Sequence, residues 1–188
     1  MQNAAAARVL VVVADGSESL EAVTVINVLR RGGLEVQVAG IGPDRVIAGT
    51  RGIRFVADVR HADVADHPWD LLVLPGGESG ARALAAHAPL IDQLRARLAA
   101  NQPVAAICAA PALVLAAHGL LAGRRATGYP AFRAQVPDWQ NQAAVSDGAL
   151  ITSQGPGTAI AFALALLERM AGRETRNAVA GALLVDAL

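Results

Sequence analysis

The chain has 188 residues, enough for one α/β domain that buries about 70% of the surface of its unfolded chain and too few to suggest a second. Its 16 basic and 16 acidic residues cancel, which removes the general electrostatic pull that nucleic-acid and anionic-membrane binders use, and one cysteine excludes an intramolecular disulfide. Hydrophobic residues make up 54% but aromatic ones only 3%, so Ala, Val, Leu and Ile must build the core, as suits helices packed on a buried parallel sheet.

Residues 1–7 are expected to be disordered. They carry no basic n-region, and the apolar run from Val9 to Ala14 is too short for a signal segment or a membrane span. A soluble cytoplasmic protein is expected, in keeping with a thiol that must stay reduced. Val9–Val13 reads as a central strand, followed by a helix from about Ser17 to Arg31 that stops at Gly32-Gly33. Leu34–Ile41 is the next strand, Ile53–Asp58 an edge strand or ribbon, and Leu71–Leu74 a buried strand ending at Pro75-Gly76-Gly77. Helices are expected at Ala81–Ala86 and Leu90–Asn101, then a strand at Val104–Ile107, a turn at Cys108 and a helix to about Ala117. A less regular stretch from Gly119 to Asp138 precedes a strand at Ala149–Thr152 and closing helices at Thr158–Ala171 and Thr175–Leu184. This alternation implies a single domain over 1–188, a doubly wound, mostly parallel sheet with helices on both faces.

In such a sheet, ligands bind where strands end and helices begin. Cys108 sits at one of these edges, between the apolar run Val104–Ile107 and the small residues Ala109-Ala110-Pro111. Strand, sharp turn and helix form a nucleophile elbow, whose helix-opening amides are expected to lower the thiol pKa. The bland alternative is a small buried hydrophobe. A second edge, Asp15 to Glu21, places two carboxylates within the apolar arc of the first helix, which also holds Ala22, Val25, Ile26, Val28 and Leu29. Capping explains Glu18, in the first turn. It explains Glu21 less well, and a carboxyl buried there would have a raised pKa and could hold or exchange a proton with a neighbour. The third edge, Gly76-Gly77, lets backbone amides approach a ligand or a developing oxyanion, although Pro-Gly-Gly is also an ordinary turn. Gly155-Pro156-Gly157-Thr158 lacks the lysine and glycine spacing of a phosphate loop, and Thr158 looks like an N-cap. The four histidines, His61, His67, His87 and His118, read as solvated or capping residues. No Cys/His cluster has metal-ligand spacing, so neither a metal nor a cofactor is expected.

Taken together, these segments resemble the ThiJ/PfpI superfamily, in the branch of the Parkinson-disease protein deglycase and the YajL-type proteins. The resemblance spans nearly the whole chain. It rests on Glu18–Val23, Leu74-Pro75-Gly76-Gly77, Ala105–Pro111 and Thr152–Thr158 in that order. It implies a flavodoxin-like, class I glutamine-amidotransferase-like fold, with Cys108 as reactive thiol and Glu21 as its protonated carboxyl partner. It further implies an oxyanion pocket from the amides of Gly77 and Ala109, and Gly76, Glu18 and Tyr129 beside the substrate. It also implies a homodimer in which Arg51 reaches the pocket from the partner; no exposed apolar helix face in the sequence demands one.

Two departures matter. Where several members of the superfamily place a histidine in a Thr-His-Pro-like stretch, this chain reads Thr127-Gly128-Tyr129-Pro130. Where the protease-like branch has histidine directly after cysteine, it has Ala109. A Cys-His dyad and peptide hydrolysis are therefore not expected. The resemblance favours a cofactor-independent glyoxalase or deglycase acting on methylglyoxal, glyoxal or their early adducts, including glycated proteins, to give 2-hydroxy acids. The alternative is an oxidation-sensing, chaperone-like protein in which Cys108 is oxidised and Glu21 stabilises the product. A third reading is an amidotransferase-like fold that keeps a structural cysteine.

Overall fold

The computed structural model describes residues 6–185. The chain begins with β1 (Arg8–Val13), α1 (Ser19–Arg31), β2 (Glu35–Gly40), β3 (Val46–Ala48), β4 (Arg54–Val56), β5 (Val59–Arg60) and β6 (Leu71–Leu74). It continues with α2 (Glu78–Ala85), α3 (Ala88–Ala99), β7 (Val104–Ile107), β8 (Arg125–Ala126), β9 (Asp138–Trp139), β10 (Ala144–Asp147), β11 (Leu150–Ser153) and α4 (Ala159–Ala182). Most of the segment expected to be disordered lies outside the described residues; Ala7, within them, accepts the Glu35 amide at 3.0 Å.

The main sheet has seven strands in the order β10-β11-β7-β6-β1-β2-β5, parallel except for the antiparallel edge pair β10–β11. From β1 the chain crosses through α1 to β2 on one side, whereas β6 lies on the other and leads through α2 and α3 to β7. Right-handed crossovers running in opposite directions put the two helix groups on opposite faces. α1 packs against α4, and α2 against α3 and a π-helical turn at Pro111–Leu115. The topological switch point therefore falls between β1 and β6.

Val9–Val13, Leu71–Leu74 and Val104–Ile107 are all completely buried. Each Val, Leu or Ile side chain so buried stabilises the fold by about 1.5–3 kcal/mol relative to exposure. This explains why the central strands read as unbroken apolar runs rather than alternating ones. The buried Arg97 fastens α3 to the strand starts by donating to the carbonyls of Trp69 at 2.8 Å and Pro103 at 2.9 Å.

Several sequence expectations shift. The closing helices form one span whose backbone breaks at Gly172 (φ 84°, ψ 167°), between the two segments expected. Ile53–Asp58 contains β4, which pairs with the unanticipated β3 as a separate two-stranded ribbon. His61 is not solvated but fully buried, with Nδ1 3.2 Å from His87 Nε2 and Nε2 3.1 Å from Gln93 Oε1. An exposed apolar face, not evident from the sequence, is present: α1 turns Leu20 and Val23 outward, 51% and 49% exposed. Val23 and Val56 of the ribbon line one groove of about 500 Å³.

Candidate active site

Three strand ends meet at the switch point. The loop after β1 supplies Glu18 and leads to Glu21, the loop after β6 supplies Gly76 and Gly77, and the turn after β7 supplies Cys108 and Ala109. Glu18 N–H donates to Gly76 O at 2.9 Å, tying the first two loops together.

Cys108 has φ 65°, a left-handed conformation rare for a side chain with a Cβ and the strained turn expected of a nucleophile elbow. Its amide donates to Ser153 O at 2.9 Å and its carbonyl accepts Tyr129 N–H at 2.7 Å, so hydrogen bonds on both sides hold the turn. The residue is 8% exposed.

Glu21 is completely buried, on the α1 face that meets the sheet. Its Oε2 accepts Gly76 N–H at 2.7 Å, while Oε1 is buried without a hydrogen-bond partner of ordinary geometry among the described residues. Burial raises the carboxyl from 4.5 to about 7, outweighing the opposing Gly76 amide and Cys108 thiol; the neighbouring Glu18 pushes in the same direction as burial. A carboxyl tuned to that range can both take and return a proton near neutrality. Glu18 is the N-cap of α1, its side chain accepting Leu20 N–H at 3.3 Å.

The thiol departs from the sequence expectation. Burial, followed by the charge of Glu21, pushes Cys108 up from 9 to about 12, although hydrogen bonds from the Gly77 and Ala109 amides act to lower it. Two backbone dipoles do not offset desolvation beside a carboxylate. Above about pH 7 the pair therefore holds one proton, centred on sulfur, with Glu21 available to receive it.

Close approach explains the glycines. A Cβ on Gly76 would lie 2.5 Å from Cys108 Cβ and 2.8 Å from Glu21 Oε2. Gly77, at φ 83°, opens α2 in a conformation that favours glycine, and a Cβ there would meet Glu18 N at 2.7 Å.

Tyr129, whose amide is bonded to Cys108 O, is 44% exposed. Arg51 is exposed in the Thr50–Gly52 turn, which is attached to the start of α1 through Thr50 N–H to Ser17 O at 3.0 Å. Within one chain its side chain does not join Cys108 and Glu21. Sequence reasoning missed Gly155, whose Cα faces the Tyr129 ring and the Cys108 sulfur. The local signals were a Gly-Pro-Gly loop, which reads as a turn, and its place in the Thr152–Thr158 segment that carries the family resemblance. Thr158 precedes α4 as expected of a cap, but its Oγ1 turns back to Gly155 N at 3.0 Å and Ser153 Oγ at 2.7 Å.

This chain is similar to Protein DJ-1 homolog B of Arabidopsis thaliana, 44% identical over 169 residues that cover 89% of this chain and 39% of the relative. It thus spans about two fifths of that relative's length. It is 32% identical to the Glutathione-independent glyoxalase DJR-1.2 of Caenorhabditis elegans, covering 88% of this chain and 89% of the relative. Among solved structures, oxidized Toxoplasma gondii DJ-1 superposes with a TM-score of 0.94 at 38% identity, over 97% of this chain and all of that one. Residues 7–169 match the model of the DJ-1/PfpI family, and the chain belongs to that family.

Proposed function

We propose that the chain is a cofactor-independent glyoxalase that converts small 2-oxoaldehydes, free or as early adducts on thiols and amines, into 2-hydroxy acids. The observation that carries this reading is a buried carboxyl raised to about 7 beside the only thiol, with two backbone amides directed at the sulfur. The relative named as a glutathione-independent glyoxalase supports the same chemistry.

The carboxylate of Glu21 takes the thiol proton as Sγ attacks the aldehyde carbon, and the carbonyl electron pair moves onto oxygen beside the amides of Gly77 and Ala109. Protonation of that oxygen by Glu21 gives a hemithioacetal. Glu21 then removes the proton from the former aldehyde carbon, giving an enediolate, and returns it to the adjacent carbon as the hydroxyl proton of the first carbon passes to the former ketone oxygen. The product is a thioester of the 2-hydroxy acid, which water hydrolyses to release the acid and restore the thiol. Glu21 thus supplies the base that Tyr129, in the position of the family's histidine, does not.

The exposed residues Leu20 and Val23, beside Val56, support a homodimer formed through α1 and the ribbon. Arg51 projects from the turn bound to the same end of α1, a position consistent with a role at the partner's pocket.

The test follows methylglyoxal and lactate together in wild type and Cys108→Ser. Lactate well above one equivalent per chain, abolished in the variant, is expected. Aldehyde loss without lactate, or equal behaviour of the two proteins, removes the glyoxalase reading. A second reading, oxidation of Cys108 as a sensor, is favoured by the oxidized state of the Toxoplasma relative. Under that reading peroxide adds two oxygens at Cys108 and Glu21→Leu changes the yield.

A further inference from the structure

The adduct carbon formed on Cys108 carries four groups: sulfur, oxygen, hydrogen and the acyl substituent of the aldehyde. The Gly77 and Ala109 amides and the Glu21 carboxyl all act on the sulfur, and in the proposed reaction the amides hold the oxygen while the carboxyl takes the hydrogen. The fourth group must leave on the side that remains.

That side is bounded by Gly155 and Tyr129. An ideal Cβ on Gly155 would fall 3.4 Å from Tyr129 Cδ2, 3.9 Å from Tyr129 Cε2 and 4.0 Å from Cys108 Sγ. These are ordinary van der Waals distances, so the missing methyl leaves free space of about one carbon between ring and sulfur. A methyl there would occupy the shell that substituents of a sulfur-bonded carbon must enter. Both walls are held in place: Gly155 by its amide to Thr158 Oγ1, Thr158 by Ser153 Oγ, and Tyr129 by its amide to Cys108 O. Gly155 has φ 164° and ψ −166°, extended backbone open to any residue, so its backbone conformation does not require glycine.

We propose that Gly155 and Tyr129 form the subsite for the acyl substituent, and that the absent side chain at Gly155 admits a methyl ketone where an alanine would admit only a smaller group. The substrates of this subsite are 2-oxoaldehydes with hydrogen or a short alkyl chain beyond the ketone, because the space of about one carbon between the Tyr129 ring and the sulfur is too small for an aryl group. This assignment rests on the thiol-aldehyde reading above.

The test is Gly155→Ala, whose methyl contacts its neighbours at 3.4–4.0 Å and leaves the melting temperature near that of wild type. One methylene in a close-fitting pocket is worth about tenfold or more in discrimination. The ratio of kcat/KM for methylglyoxal over glyoxal should therefore fall about tenfold in Gly155→Ala, and Tyr129→Ala should gain phenylglyoxal turnover. A second readout does not require turnover: alkylation of Cys108 by iodoacetamide and by 2-iodopropionamide, which differ by one methyl on the reacting carbon, followed by intact mass. Gly155→Ala should slow the branched reagent about tenfold relative to the unbranched one, and Tyr129→Ala should speed it. If wild type makes no lactate yet the alkylation ratio shifts this way, the glyoxalase reading fails and the subsite stands. If the ratio is unchanged in both variants, the subsite assignment is overturned.

Discussion

Gly76 brings Glu21 and Cys108 together: its amide holds Glu21 Oε2 at 2.7 Å, and its missing Cβ leaves room that would otherwise lie 2.5 Å from Cys108 Cβ. One residue thus positions the carboxyl and makes space for the thiol. The alignment of β1, β6 and β7 beside the switch point brings three sequence-distant segments to one site.

Gly76→Ala should disrupt both functions. Its methyl would meet Cys108 Cβ, Glu21 Oε2 and Ile107 O at 2.5, 2.8 and 2.9 Å, where the neighbours include backbone. Overpacking of this kind costs about 1–3 kcal/mol. Urea denaturation should show that loss, and iodoacetamide labelling should show altered Cys108 reactivity in the folded fraction.

Glu21 should leave a signature in stability against pH. Its carboxyl is raised from 4.5 to about 7 on folding, so the native chain binds this proton more tightly than the unfolded one. The contribution is fully present below pH 4.5 and lost as pH rises through about 7, a swing of roughly 3 kcal/mol. Denaturation at pH 5 and pH 8 should show Glu21→Gln losing that slope. An unchanged slope would mean that Glu21 does not titrate in this window.

The thiol should titrate late, and Glu21 should be one cause. Ultraviolet absorbance of the thiolate should rise with a midpoint near 12 in wild type. Removing the adjacent negative charge in Glu21→Gln should move the midpoint well down, with burial keeping it above an ordinary thiol. A midpoint unmoved by the substitution would leave burial as the sole cause.

Val23→Asp should yield a monomer in sedimentation velocity if α1 and the ribbon join two chains, because a carboxylate would replace an exposed valine that lines one groove with Val56. The substituted side chain lies on the half-exposed face, so folding should change little. A dimer that persists places the interface elsewhere.

Much of this architecture is legible in the sequence because the central strands, buried on both faces, are written as unbroken runs such as Val9–Val13 and Leu71–Leu74. Cys108 and Glu21 could be singled out as a thiol in an elbow and a carboxylate in an apolar arc. The net direction of the thiol pKa could not, since it depends on how much desolvation the closed site imposes against the two amides. Gly155 was equally hidden: its part comes from a side chain it lacks and from a ring 26 positions earlier in the chain, at Tyr129. The outward turn of Leu20 and Val23 escaped notice because their face of α1 also carries Thr24, Asn27, Arg30 and Arg31, which read as an ordinary solvated face.

The most direct test of the Glu21–Cys108 unit is the pH dependence of lactate formation from methylglyoxal, with Cys108→Ser and Glu21→Gln as controls. If Glu21 is the base, kcat/KM should rise with pH through about 7, and both substitutions should abolish most lactate formation with the fold intact. A rate that is flat or falls through pH 7, or lactate formation that survives Glu21→Gln, would contradict the assignment of Glu21 as the base for Cys108.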